Sequence, residues 1–186
     1  MSDFEVVLLR VVDVFGRSRI PYMLTGGLAV VYYGAPRTTH DIDVVILISP
    51  ADITRIKGML EPDFLVDEES IRAALREGSM FNAIHDESGF KVDFWMRKGD
   101  DYGREAFARR KQYPYDHSLL SIATPEDVII TKLEWHRLSD IDKHYSDALG
   151  VYAVQKGSLD TAYIARWCEA KSLLDLWCRL QRDAAF

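Results

Sequence analysis

Asp41, Asp43 and Asp93 are the residues of this chain whose type and setting are hardest to explain without chemistry. Asp41-Ile42-Asp43 heads a run of Val, Ile and Leu that reads as a strand. Strand side chains alternate, so the two aspartates share one side and Ile42 takes the other. Carboxylates placed side by side repel, and their burial is costly unless a cation compensates them. A Mg²⁺ ion suits that role, because it takes oxygen ligands and binds through one or two carboxylates together with substrate phosphates. The third acid lies in Lys91-Val92-Asp93-Phe94-Trp95, where alternation sets Asp93 against Val92 and Phe94. If that strand pairs beside the first, the acids converge where two metal ions would activate an attacking hydroxyl and stabilise a leaving pyrophosphate.

A second feature precedes the acids. The apolar run Tyr22-Met23-Leu24 stops at Thr25-Gly26-Gly27, and a helix-like stretch from Leu28 to Tyr33 follows. Glycine permits close backbone approach, and a helix N-terminus presents unpaired N–H groups and the positive end of its dipole, so a triphosphate would rest there. Arg37, Thr38 and Thr39, just ahead of the acids, would add phosphate or ribose contacts. Each element alone has a plain structural reading. Gly-Gly is a turn, Asp-x-Asp is a solvated strand end, and Asp93 is a charge that discourages strand aggregation. Their order is what points to chemistry: strand, Gly-Gly, helix, then Asp-x-Asp after the thirteen residues 28–40, then a further apolar-flanked Asp.

The elements that must position these residues follow from periodicity and turn chemistry. Helices are expected at 3–17, 28–33, 51–60, 68–77 and 101–110. The strand from Asp41 to Ile48 is expected to be buried on both faces. Ser79–His85 and Phe90–Met96 form a hairpin around Asp86-Glu87-Ser88-Gly89, and one more strand is expected near 113–121. From Thr124 the character turns helical. Thr124-Pro125-Glu126-Asp127 supplies a cap, a first-turn proline and two acids. Helices are expected at 126–138, 140–155, 159–169 and 171–182, with a break at Gly157-Ser158. The expected fold is therefore α/β (α+β), a mixed sheet flanked by helices over 1–122, with a helical C-terminal subdomain over 123–186.

The stretch from Leu24-Thr25-Gly26-Gly27-Leu28-Ala29 to Asp41-Ile42-Asp43-Val44 resembles the signature of the DNA polymerase beta nucleotidyltransferase superfamily. The resemblance covers about residues 20–96. It implies that Asp41, Asp43 and Asp93 hold the metal, Mg²⁺ or Mn²⁺ in its place, and that Asp93 assists deprotonation of the acceptor. It also implies that Gly26 and Gly27 contact the triphosphate, with Thr25, Arg37 and Thr39 beside them. The tail, with Lys132-Leu133-Glu134, is more loosely similar to abortive-infection and toxin–antitoxin nucleotidyltransferases. There Lys132 either reaches a phosphate or extends past its apolar neighbours to water.

The rest of the sequence narrows the field. The chain has 186 residues, a net charge of −6 and two cysteines, Cys168 and Cys178. Its acidic balance argues against broad nucleic-acid binding. The basic run of Arg104, Arg109, Arg110 and Lys111 reads as a solvated helix face. An acidic start and no long apolar stretch lead to the expectation of a cytoplasmic protein with two buried, reduced thiols and no membrane partner. No phosphate-loop, His-Glu-x-x-His, Cys-x-x-Cys or Gly-x-Ser-x-Gly motif is present, and the five histidines, His40 included, form no ligand spacing. Trp135, Trp167 and Trp177 are expected to pack helices together. The expected activity is metal-dependent transfer of a nucleoside monophosphate from a nucleoside triphosphate to a hydroxyl, with release of pyrophosphate. A protein, an RNA end and a small hydroxylated molecule all stay open as acceptor. The alternative is a non-catalytic antitoxin or regulatory protein on the same fold, with a toxin or antitoxin partner.

Overall fold

The computed structural model of the chain describes residues 2–34 and 36–184. It divides into two compact units, Met1–Leu28 with Thr39–Ile122, and Ala29–Thr38 with Ala123–Phe186. Among the described residues no helix is long and apolar enough to cross a membrane.

The first unit is built on a mixed sheet. In chain order its strands are β1 (Tyr22–Thr25), β2 (Ile42–Ile46), β3 (Phe64–Leu65), β4 (Met80–His85), β5 (Lys91–Met96), β6 (Lys111–Tyr115) and β7 (Ser118–Ile122). They lie in the order β3-β4-β5-β2-β1-β7-β6. β2 pairs parallel with β5 and β1 parallel with β7, while the other neighbours are antiparallel. The helices of the chain begin with α1 (Asp3–Ser18), α2 (Gly26–Tyr33), α3 (Ile53–Leu60), α4 (Glu68–Glu77) and α5 (Asp101–Arg109). α1 starts at Ser2, whose hydroxyl caps Glu5 N–H while the Glu5 carboxylate reaches back to Ser2 N–H.

One face of this sheet is the core. Ile42, Val44, Ile46, Val92 and Phe94 are fully buried. The Phe94 ring lies 5.6 Å from Phe15 of α1 and 5.0 Å from Phe81 of β4. Burying each such side chain is worth about 1.5–3 kcal/mol, which fixes the face and hence the register. The other face differs from expectation. Along β2, Asp43 and Val45 are only half-buried, so this strand is not covered equally on both sides.

Two further expectations are corrected. The single strand near 113–121 is a hairpin, β6 and β7, in which Tyr115 pairs with Ser118 around Asp116-His117. Asp116 takes the left-handed conformation that the tight turn needs, at φ 50°. The basic run is not one solvated helix face. Arg110 follows α5 with its guanidinium 4.2 Å from the Phe107 ring centroid, burial lowers its pKa, and Lys111 opens β6. The strand β3 escapes sequence reading because two residues carry no period.

The second unit contains α6 (Pro125–Ser139), α7 (Asp142–Gln155), α8 (Thr161–Ala170) and α9 (Leu174–Asp183). Thr124 caps α6 and Pro125 occupies its first turn. Both first-turn acids reach α8: Asp127 accepts from Tyr163 Oη at 2.7 Å, and Glu126 accepts from Asp160 N–H at 3.0 Å. At the centre of the unit, Asp147 of α7 binds two cations. Lys132 Nζ lies 2.8 Å from Oδ2 and Arg37 Nη2 donates to the same oxygen at 3.0 Å. Arg37 Nε is 2.7 Å from Oδ1 but poorly aimed for a hydrogen bond. Trp177 packs as expected, edge-on to Tyr152, whereas Trp135 is 41% exposed. The thiols are not alike either: Cys168 is buried and Cys178 exposed.

Two outcomes are expected. Asp147→Ala strands two cations in a buried setting and should cost about 3–5 kcal/mol, read as a fall in melting temperature on the order of 10 °C. Burial pushes the Cys168 thiol up to about 12, so an alkylating reagent near neutral pH should label Cys178 alone in the native protein and both thiols after unfolding. Mass spectrometry of the labelled protein distinguishes the two.

Candidate active site

Register brings the site together. Thr25 of β1 is the Cα partner of Asp43 on β2, Asp43 is the partner of Asp93 on β5, and Asp93 is the partner of Asn82 on β4. Directly opposed residues project to the same side of a sheet. Thr25, Asp43, Asp93 and Asn82 therefore form a row across four strands, on the face that the apolar core leaves free. Two of the three expected acids are adjacent by this means. Asp41 lies just before β2 and is exposed, and Thr39 Oγ1 donates to its backbone carbonyl at 3.3 Å.

The carboxylates are individually held. Asp93, with its side chain 11% exposed, accepts from Asn82 Nδ2 at 3.2 Å on Oδ1 and from Lys91 Nζ at 2.9 Å on Oδ2. That bond holds the Lys91 pKa above its ordinary value, against the opposing effect of burial, and the charges of Asp93, Asp41 and Asp43 act in the same direction. Asp43 accepts from the Trp95 indole N–H at 3.2 Å on Oδ1. Its other oxygen explains the first glycine. Gly26 has φ +59°, and a Cβ built there would stand 1.9 Å from Asp43 Oδ2. The missing side chain is thus the space that the carboxylate occupies. Gly26 also opens α2 directly at the end of β1, two residues earlier than the expected start at Leu28, so Gly-Gly is the first turn of the helix.

This donor set fits a divalent cation. The groups are hard carboxylate oxygens, and an ammonium already stands among them as a compensating charge. Among the described residues no three His, Cys, Asp or Glu side chains are already gathered to hold a metal. Asp93 is engaged by Lys91, and Asp41 stands outside the strand. Arg37 and Lys132, expected at the nucleotide, belong to the second unit, where both bind Asp147. His40 is exposed in the loop before Asp41.

Three residues of the site were not singled out in the sequence: Asn82, Lys91 and Trp95. Lys91 and Trp95 stand two positions either side of Asp93, so alternation places them on its face. Asn82 follows from the hairpin, because a turn over 86–89 sets residue 82 opposite residue 93. Only the Trp95–Asp43 bond needs knowledge that β2 and β5 are neighbours. A groove of about 590 Å³ elsewhere in the first unit, lined by Arg10, Asp63 and His85 among others, contains none of the expected site residues.

No protein-family model matches this chain, and no curated protein matches its sequence. Solved structures do match its fold. ANT(2″)-Ia, solved in complex with adenylyl-2″-tobramycin, aligns with a TM-score of 0.59 at 12% identity, over 92% of this chain and 98% of that one. A nucleotidyltransferase-like antigenic protein from Paracoccidioides brasiliensis aligns at 0.57 and 14% identity, over 94% and 91%. The lincosamide antibiotic adenylyltransferase LnuA, with lincomycin bound, aligns at 0.54 and 16% identity, over 83% and 98%. The chain has the nucleotidyltransferase fold.

The Gly26 contact makes a prediction of its own. Gly26→Ala forces a Cβ into the Asp43 carboxylate and carries about 1–2 kcal/mol of left-handed strain. It should lower the melting temperature by several degrees and shift the Trp95 indole N–H resonance in an NMR spectrum. Gly16→Ala is the control, because a Cβ there meets nothing within 4 Å, and it should leave the resonance where it is.

Proposed function

We propose that this chain is a metal-dependent nucleotidyltransferase, moving a nucleoside monophosphate from a nucleoside triphosphate to a hydroxyl acceptor. The observation that carries the reading is the pairing of Asp43 with Asp93 in register, beside the glycine that opens α2. The acceptor oxygen would bond to the α-phosphorus, the bond from that phosphorus to the bridging oxygen would break, and pyrophosphate would leave. Mg²⁺ or Mn²⁺ held by Asp41, Asp43 and Asp93 would supply charge neutralisation for the triphosphate and polarise the reacting oxygens. The remaining work is positional. The N–H groups at the start of α2 offer an anion seat, Thr25 ends β1 directly before it, Thr39 in the stretch ahead of β2 would add a contact, and Asp93 would take the acceptor proton. Trp95 holds Asp43 and Asn82 holds Asp93, so these two carboxylates would need little rearrangement before reaction.

A small hydroxylated molecule is the acceptor class we favour. The structural neighbours ANT(2″)-Ia and LnuA were solved with adenylyl-2″-tobramycin and with lincomycin, respectively. A net charge of −6 would favour a cationic acceptor. One observation supports the non-catalytic alternative, an antitoxin or regulatory protein: Trp135, Leu138 and Ile141 are 41%, 72% and 50% exposed around the α6–α7 turn. Such a protein would keep its biological effect without the acids.

Calorimetric titration with ATP, GTP, CTP and UTP, in Mg²⁺ and then in EDTA, tests the reading. At least one triphosphate should bind in a metal-dependent manner. Asp43→Asn and Asp93→Asn, which keep shape and remove charge, should each weaken that binding at least tenfold, or about 1.4 kcal/mol. Wild-type affinity in either variant would remove that carboxylate from the site.

A further inference from the structure

We infer that Lys91 is the resident counter-ion of the acid row, an ammonium that holds the position of a divalent cation and must leave for one to bind. The inference rests on the metal-dependent reading above and adds a competitor to it. Asp93 has both oxygens engaged, Oδ1 by Asn82 at 3.2 Å and Oδ2 by Lys91 at 2.9 Å. A cation that takes Oδ2 as a ligand therefore replaces the ammonium there. The two partners differ in freedom. The Asp93 side chain is 11% exposed and set in the sheet, whereas the Lys91 side chain is 44% exposed on a flexible stem. Displacement consequently moves the lysine outward and leaves the carboxylate in place.

Lys91 also differs from a surface ion-pair partner. An exposed pair gains little because water serves both ions almost as well. Here the carboxylate is nearly buried and its register neighbour is a second carboxylate, Asp43, so the position demands a positive charge whether or not metal is present. Lys91 meets that demand from its own strand, two residues from Asp93.

The test is Mn²⁺ affinity without nucleotide, read by electron paramagnetic resonance of the free ion, for the wild type, Lys91→Met, Lys91→Gln and Lys91→Arg. Met keeps the length of the stem and removes the charge, and Gln serves the same purpose if Met fails to fold. The neutral variants should bind Mn²⁺ roughly five- to tenfold tighter than wild type, while Arg, still cationic, should not. Melting temperature supplies a second readout. Without metal the neutral variants should melt below wild type, and added Mn²⁺ should close the gap because the ion restores the missing charge. Acid-dependent Mn²⁺ binding by the wild type, with neutral variants that bind no tighter, would overturn the counter-ion role and leave the metal site standing. Absence of Mn²⁺ binding in wild type and folded neutral variants alike would overturn both.

Discussion

Asp43 and Asp93 sit opposite one another on neighbouring parallel strands, so the sheet itself holds two carboxylates side by side. Strands lie about 4.8 Å apart, and two full charges at that distance repel by on the order of 3 kcal/mol at an effective dielectric of ~20. Much of the local structure offsets this repulsion. The Trp95 indole donates to one carboxylate, Asn82 and Lys91 donate to the other, and Gly26 gives up a side chain so that Asp43 has space.

The opposite face makes that arrangement possible. Ile42, Val44, Val92 and Phe94 are completely buried, and the Phe15–Phe94–Phe81 cluster ties α1 to β5 and β4. Slipping β2 against β5 by one residue would send Ile42 and Val44 outward and Asp43 into the core. The apolar register and the acidic register are therefore one constraint. Hydrophobic burial, which is non-directional in itself, becomes a device for aligning two charges because strands alternate.

The second unit handles charge in the opposite sense. Asp147 is one buried carboxylate between two cations, Arg37 and Lys132, and the exposure of these side chains is only 4%, 22% and 10%, respectively. Sequence reasoning offered Arg37 a phosphate or ribose contact and Lys132 either a phosphate or a path to water. Their positions in this unit give them a definite structural duty, tying the 29–38 stretch to α6 and α7. Removing one member of such a set is far more harmful than its net contribution would suggest, since the others remain buried and unpaired.

Much of the layout of the candidate site was legible from residue order alone, because its signals are local. Period-two alternation put Asp41 and Asp43 on one side of their expected strand and set Asp93 against Val92 and Phe94, Gly-Gly marked a strand-to-helix junction, and the turn at 86–89 set the β4–β5 hairpin. The same alternation and turn already implied Lys91, Trp95 and Asn82 as neighbours of Asp93. What tertiary structure alone decided was which strands are adjacent. The β2–β5 pairing joins residues fifty apart in sequence, and no local preference encodes a parallel contact at that separation. That pairing turned separate aspartates into a row, gave Asp43 its bond to Trp95, and left one face of β2 only half-covered where its composition suggested full burial. It likewise decided that Cys178 and Trp135 are exposed, where both were expected to be packed. Composition states what a residue prefers, and only the packing of distant segments determines which preferences are met.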